Sequence, residues 1–269
     1  MIYRSWLGQN KPPLGVRPIP GHPLAQGLVG CWLLNKGSGD LANDSVDRNI
    51  GILTGGATRS VTQQGPAVNF AADAQHVKVL RHPSIEPPTN VTVAVLARIT
   101  TFADYQDYLV SYIKTGTGDN DSWAIYGNLG GQFYYDSGGT AYRSPASTVN
   151  LADGKWHWIV GVLDASYVRL YVDGLEQGSG TVRGGNISYS GTGALYLGDY
   201  NGTDYGTLAD LAVVYIWSRG LTASEVVTVS AQPFSMFGTP DLATMYYSIP
   251  AAGITVPVFE QYYRRLRVA

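Results

Sequence analysis

The 269-residue sequence predicts an all-β protein: an antiparallel jelly-roll sandwich with an extended arm before it and an extended tail after it. Three observations lead there. From Leu24 to about Ser230, short runs rich in Val, Ile, Tyr and Trp alternate with Gly, Asn and Asp clusters, the pattern of many strands joined by turns. A single stretch in the whole chain carries a strong helix start signal. Five prolines fall within the first 23 residues and four beyond Gln232, where they forbid a central strand and favour extended chain.

Taken in order, residues 1–23 read as an arm, with Trp6, Leu7 and Leu14 as its apolar contacts. Residues 24–232 read as the jelly-roll domain. Its clearest text is DGKWHWIVGVLDASYVRLYVDGLEQG, residues 153–178. Trp156, Trp158, Val160 and Val162 share one face of an extended segment, and His157, Ile159, Gly161 and Leu163 share the other. Both faces are largely apolar, so this strand lies inside the sandwich. Asp164-Ala165-Ser166 turns the chain, and Asp173-Gly174 supplies the positive φ angles of a tight hairpin. Thr222 and Glu225 form a capping box, with Leu221 stapling onto Val226, so a short helix starts at residue 223. Residues 233–269 are too apolar for a solvated tail and too proline-broken for a core helix. Their Phe234, Phe237, Tyr246, Tyr262 and Tyr263 are expected to dock on the domain or, better, on a partner chain.

Bulk properties exclude several functions. Charged residues make up only 14% and the net charge is −2, with no basic run to track a nucleic-acid backbone. Cys31 is the sole cysteine, so no intramolecular disulfide forms, and its apolar surroundings mark it as a buried, inert thiol. No segment approaches the roughly 18 apolar residues of a membrane helix, and the N-terminus lacks the apolar stretch of a signal peptide. The expectation is a protein made and used without standard secretion.

Four segments then converge on one family: GLVGCWLLNKGSGDLANDSVDRNIGILTGGA, PAVNF, the 153–178 stretch, and LYLGDYNGTDYGTLADLAVVYIWSRGLTASEV. In this order they resemble the laminin G-like, concanavalin A-type jelly rolls, over roughly residues 27–230. The arm and tail are similar to those of laminin G-like structural proteins of tailed bacteriophages. The resemblance implies the fold; it does not imply one activity, because this fold serves lectins, glycanases, adhesion modules and virion proteins.

The residues argue against catalysis. A glycanase of this fold needs a strand with alternating carboxylates, yet the only glutamates are Glu86, Glu176, Glu225 and Glu260, none arranged that way. The four histidines have no metal-ligand spacing, and no Gly-x-Ser-x-Gly occurs. The chain is therefore expected not to be an enzyme. The resemblance implies a calcium ion tying the first and last strands, which maps onto Asp44 and Asp210; the plain alternative is a turn at Asp44 and a strand end at Asp210. The 19 tyrosines suggest a surface. Tyr126, Tyr135, Tyr142, Tyr200 and Tyr205, with Asn201 and Asp204, would suit a glycan, a protein interface or an exposed β face.

The reading these observations favour is a non-enzymatic structural protein of a bacteriophage particle, assembled in the host cytoplasm. It would decorate the capsid, docking through its ends on the major capsid protein and on itself as a homotrimer. The alternative is a lectin-like carbohydrate- or receptor-binding module of a phage tail or fibre that engages a host glycan. Neither requires nucleic acid or membrane.

Overall fold

The computed structural model describes residues 3–5, 11–102, 107–113, 121–127, 130–189, 192–203 and 205–240. Two antiparallel sheets carry the fold. The larger runs, edge to edge, Leu175–Glu176, Tyr167–Val172, Trp156–Leu163, Val91–Thr101, Leu208–Trp217, Gly65–Phe70 and Thr58–Thr62. Leu28–Trp32 pairs on Leu208–Trp217, and Thr181–Val182 on Tyr167–Val172. The smaller runs Thr140–Arg143, Gly131–Ser137, Asp121–Gly127, Asp107–Ile113, Ala194–Leu197, His76–Leu80, Gly51–Thr54 and Leu41–Ala42.

The two-residue alternation sorts each strand between two environments. Ile159 and Leu163 point between the sheets with Val93, Val95, Val214 and Ile216, where they meet Trp123, Ile125, Phe133 and Tyr135 of the smaller sheet. Trp158, Val160 and Val162 point the other way and are equally buried. The expected double-sided burial of this strand is what the fold contains. The sheets approach closely at Gly161, where an added Cβ would lie 2.3 Å from Phe133 Cγ. Glycine is required there by space. The turns also follow the sequence: Asp164 Oδ1 accepts from the Ser166 and Tyr167 amides at 2.7 and 2.8 Å, and Asp173 and Gly174 have φ of +50° and +85°.

A third layer covers the outside of the larger sheet. The helix Ala223–Ala231 begins at the expected capping box, with Val226 and Val229 buried beside Leu221. Phe234, Met236 and Phe237 continue the cover, and Leu24 and Leu28 close it from the N-terminal side. The Tyr215 hydroxyl donates to Pro233 O at 3.1 Å and the Trp217 indole to Leu24 O at 2.7 Å, so the polar tips of these large rings are satisfied inside the layer. Arg17–Pro18 pairs antiparallel with Phe237–Gly238, and the Ile19 amide donates to Met236 O at 2.8 Å. Lys11 donates its ammonium to Ala212 O at 2.7 Å and to Pro66 O; burial and the neighbouring Arg59 push it down to about 7.

These contacts correct the expected boundaries. The compact unit runs Ser5–Thr239, so residues 11–23 and 233–238 belong to the sandwich rather than to free ends. Phe234 and Phe237 are 2% and 0% exposed and are core residues, which removes them as contacts for a partner. Leu14 remains at the surface. Trp6, Leu7, Tyr246, Tyr262 and Tyr263 lie outside the described residues. A second unit comprises Met1–Arg4 and Pro240–Ala269.

Candidate functional site

The smaller sheet presents a different outer face. Register places Arg143 opposite Tyr134, Tyr134 opposite Ala124, and Ala124 opposite Ser111. The same row continues through Tyr196 and Lys78 to Ile52 and Leu41. The neighbouring row pairs Gln132 with Tyr126 and Tyr126 with Tyr108. A bulge between Tyr108 and Val110 keeps Tyr108 and Ser111 on one face despite their odd spacing.

The rings therefore meet in series. Tyr134 meets Tyr126 edge-on at 5.3 Å between centroids, Tyr126 stacks on Tyr108 at 5.5 Å, and Tyr108 contacts Tyr200 at 4.6 Å. Tyr205 ends the series, 6.1 Å from Tyr200. The Tyr126 hydroxyl donates to Gln132 Oε1 at 2.9 Å and accepts from Arg143 Nε at 3.2 Å, while the guanidinium lies over the Tyr134 ring. Ser111 Oγ donates to Tyr200 O at 2.6 Å, which fixes the loop to the sheet. Tyr108, Tyr126 and Tyr134 are almost fully covered, whereas Tyr205 is 43% exposed. The exposed ring area thus falls to the loop end, where Asn201 organises the chain by accepting from Thr203 N at 2.9 Å.

The sequence-selected tyrosines divide. Tyr126, Tyr200 and Tyr205 come together on this face. Tyr135 and Tyr142 do not: Tyr135 is fully buried between the sheets and Tyr142 stacks on it at 5.4 Å. The Tyr135 hydroxyl accepts from Gly184 N at 2.8 Å and donates to Gly185 O at 3.2 Å, and burial raises its pKa. Tyr135 is a core residue and Tyr142 a partly buried one packed against it, because adjacent positions on a strand face opposite ways. Asp204 lies outside the described residues. Tyr108, Tyr134 and Tyr196 were missed, although the adjacent pair Tyr134-Tyr135 already requires that one of the two face outward.

Asp44 and Asp210 act as structural carboxylates. Asp44 Oδ1 accepts from the Cys31 and Val46 amides, both at 2.9 Å, and Oδ2 from Asn49 Nδ2 at 3.0 Å and Asp47 N at 3.3 Å. Its pKa is raised by burial, against those hydrogen bonds. Asp210 Oδ1 accepts from Ser60 and Asn69, and Oδ2 receives Arg98 Nη2 at 2.6 Å and Nε at 3.1 Å. The two do not form one site, and among the described residues no three His, Cys, Asp or Glu converge on a common point. The pair is corrected to a turn organiser and an ion-pair partner. His157 is buried with both ring nitrogens on carboxylates, Nδ1 to Asp173 at 2.7 Å and Nε2 to Asp153 at 3.1 Å. Cys31 is fully buried, and its thiol pKa is driven up chiefly by that burial.

Two stacked sheets, one faced by the chain's own helix and one carrying a series of tyrosines, define a jelly-roll module of lectin-like architecture. The sequence model of the concanavalin A-like lectin/glucanases superfamily matches residues 71–227, and the chain belongs to that superfamily. No match was found among curated protein sequences. Among solved structures, the binding domain of Paraclostridial mosquitocidal protein 1 superposes with a TM-score of 0.61 at 15% identity, covering 76% of this chain and 52% of that one. Trypanosoma rangeli sialidase in complex with the inhibitor DANA gives 0.58 at 17%, covering 78% and 33%. Domain 4 of AbnA, a GH43 extracellular arabinanase of Geobacillus stearothermophilus solved with arabinotriose, gives 0.55 at 15%, covering 76% and 98%. The chain spans about half of the toxin domain and a third of the sialidase.

These likenesses establish the fold. They also overturn the expectation that the chain is not an enzyme: a sialidase and an arabinanase domain share its architecture, so a missing glutamate pattern is no ground for excluding glycoside chemistry.

Proposed function

We propose that this chain is a lectin-like carbohydrate-binding module that takes a saccharide at the loop end of the tyrosine series, on Tyr200 and Tyr205 with Asn201. The observation that carries this reading is the connected series of rings on the outer face of the smaller sheet, ending in the half-exposed Tyr205. A sugar presents a C–H face that packs on a flat ring and hydroxyls that an amide can engage, and binding sites pair such apolar platforms with a few polar groups. The inner tyrosines hold Tyr200 in place, so little order is lost on binding. The cations described on this face are engaged by its own rings, Arg143 by Tyr126 and Tyr134 and Lys78 by Tyr196, which favours a neutral sugar. The shared fold with a toxin binding domain and an arabinotriose-bound domain supports the same reading.

A setting in a phage particle, with the major capsid protein or other copies of this chain as partners, is compatible with such a module. Its support is confined to the terminal segments of the sequence. Calorimetry of the full chain against neutral oligosaccharides, arabino-oligosaccharides included, tests the binding reading. The expected result is binding that falls at least tenfold in a Tyr200→Ala, Tyr205→Ala double variant. Unchanged binding in that variant, or none in the parent chain across the panel, would overturn it.

A further inference from the structure

The sequence contains Asn-Gly once, at Asn201-Gly202, in the loop that follows the strand Ala194–Leu197 and carries Tyr200. An asparagine and the next residue's amide hold the parts of an acyl transfer, an electrophilic carbon at Cγ and a nucleophilic backbone nitrogen. The reaction is ordinarily slow, because the amide N–H is a poor acid and the tetrahedral intermediate carries an unsupported negative oxygen. Neighbours in this loop address both defects.

Asp199 is fully buried, and its Oδ1 accepts from Gly202 N at 2.6 Å and Asn201 N at 2.8 Å. The nucleophilic nitrogen therefore already points its proton at a carboxylate. Burial raises the pKa of that carboxylate against those hydrogen bonds, which makes it a stronger base than an exposed aspartate. On the electrophile, Asn201 Oδ1 accepts from Thr203 Oγ1 at 2.6 Å and from Thr203 N at 2.9 Å. Two donors on the oxygen where charge develops form the arrangement of an oxyanion hole. The backbone between them is held in place: Gly202 has a φ of +89°, and a Cβ there would lie 2.9 Å from His76 Cε1 and 3.1 Å from Tyr196 Cε1. Glycine is required by that packing, and it leaves the nitrogen with no side chain beside it. Thr203 is exposed and Asn201 half-buried, so water reaches the loop.

We propose that Asn201-Gly202 is a self-modifying site, at which the folded chain converts the Asn201 amide into a carboxylate. Gly202 N attacks Asn201 Cγ and its proton passes to Asp199, while the carbonyl electron pair moves onto Oδ1 between the two Thr203 donors. The intermediate collapses as the Cγ–Nδ2 bond breaks; the nitrogen takes the proton back from Asp199 and leaves as ammonia, and a succinimide remains. Water opens the ring, at Cγ to give aspartate or at the backbone carbonyl to give isoaspartate, which adds a methylene to the main chain. Either product sets a negative charge beside Tyr200. With the saccharide reading above, that charge retires the binding loop as the protein ages; the chemistry itself does not rest on that reading.

The test incubates the full chain for weeks at neutral pH and follows position 201 by peptide mass mapping, with isoaspartate measured by enzymatic methylation. The same chain unfolded in guanidinium chloride is the comparison. Conversion should run about tenfold faster in the folded chain. Asp199→Asn keeps an Oδ1 acceptor for both amides but cannot take the proton, and should slow the folded reaction about tenfold. Thr203→Val, at an exposed position, removes one of the two donors from the developing oxyanion; it should slow conversion severalfold and decides the matter if Asp199→Asn fails to fold. Conversion no faster in the folded chain than in the unfolded one, or an unchanged rate in Thr203→Val, contradicts the proposal.

Discussion

The two outer faces of the sandwich start from the same alternation and end differently. On the larger sheet the outward residues are Trp158, Val160, Val213, Tyr215 and Trp217, and the chain returns to cover them with a helix, an N-terminal segment and Phe234–Phe237. On the smaller sheet the outward residues include Tyr108, Tyr126, Tyr134 and Tyr196, with Ser111, Lys78 and Arg143 among them. The first face gains stability from apolar burial and leaves nothing to bind. The second keeps hydroxyls and ring faces on display at one end, so its chemistry is directed outward. One face of a jelly roll can thus act as foundation while the other acts as tool, and the division is set by which residues alternate outward.

The largest expected effect falls on the covered face. Phe237→Ala removes a fully buried ring that lies 6.3 Å from Tyr215, and should cost about 3–5 kcal/mol in urea unfolding. An unchanged midpoint would mean that the cover is not part of the cooperative fold. Next is Thr222→Ala, which breaks the capping box and should cost about 1 kcal/mol. The partner in that box gives a pH signature. Hydrogen bonding from Arg219 holds the Glu225 carboxyl below its ordinary value of 4.5. Its contribution is therefore complete above about pH 4.5 and is lost as pH falls through the lower folded value, so the Thr222→Ala deficit should shrink in acid. The smallest effect belongs to the open face: Tyr205→Ala should change stability by no more than about 0.5 kcal/mol while weakening saccharide binding in calorimetry. A large stability loss there would make Tyr205 a foundation residue and dissolve the contrast.

What the sequence disclosed followed the range of the interactions involved. The Trp156–Leu163 strand, the Asp173-Gly174 turn and the capping box depend on neighbours within a few positions, and each is present as expected. The tyrosine site depends on register between strands and on one bulge at Tyr108, so the list mixed outward Tyr126 with inward Tyr135. Phe234 and Phe237 were placed in a tail because a covering segment makes irregular contacts and shows neither of the two structural periods. Asp44 drew attention by its place near the first strand and turned out to be occupied by amides.

The pairing of Leu28–Trp32 with Leu208–Trp217, and of Arg17–Pro18 with Phe237–Gly238, has a consequence for how the molecule is made. The earliest strands have their partners at the far end of the chain. A ribosome must therefore deliver nearly the whole module before its central sheet can close, and folding dominated by such distant contacts is slow. Until residue 237 emerges, Tyr215 and Trp217 stay wet and adhesive, which exposes the nascent chain to aggregation. Recombinant fragments that stop at 232 inherit that unfinished state permanently, and the shortest segment expected to fold cleanly extends to 239.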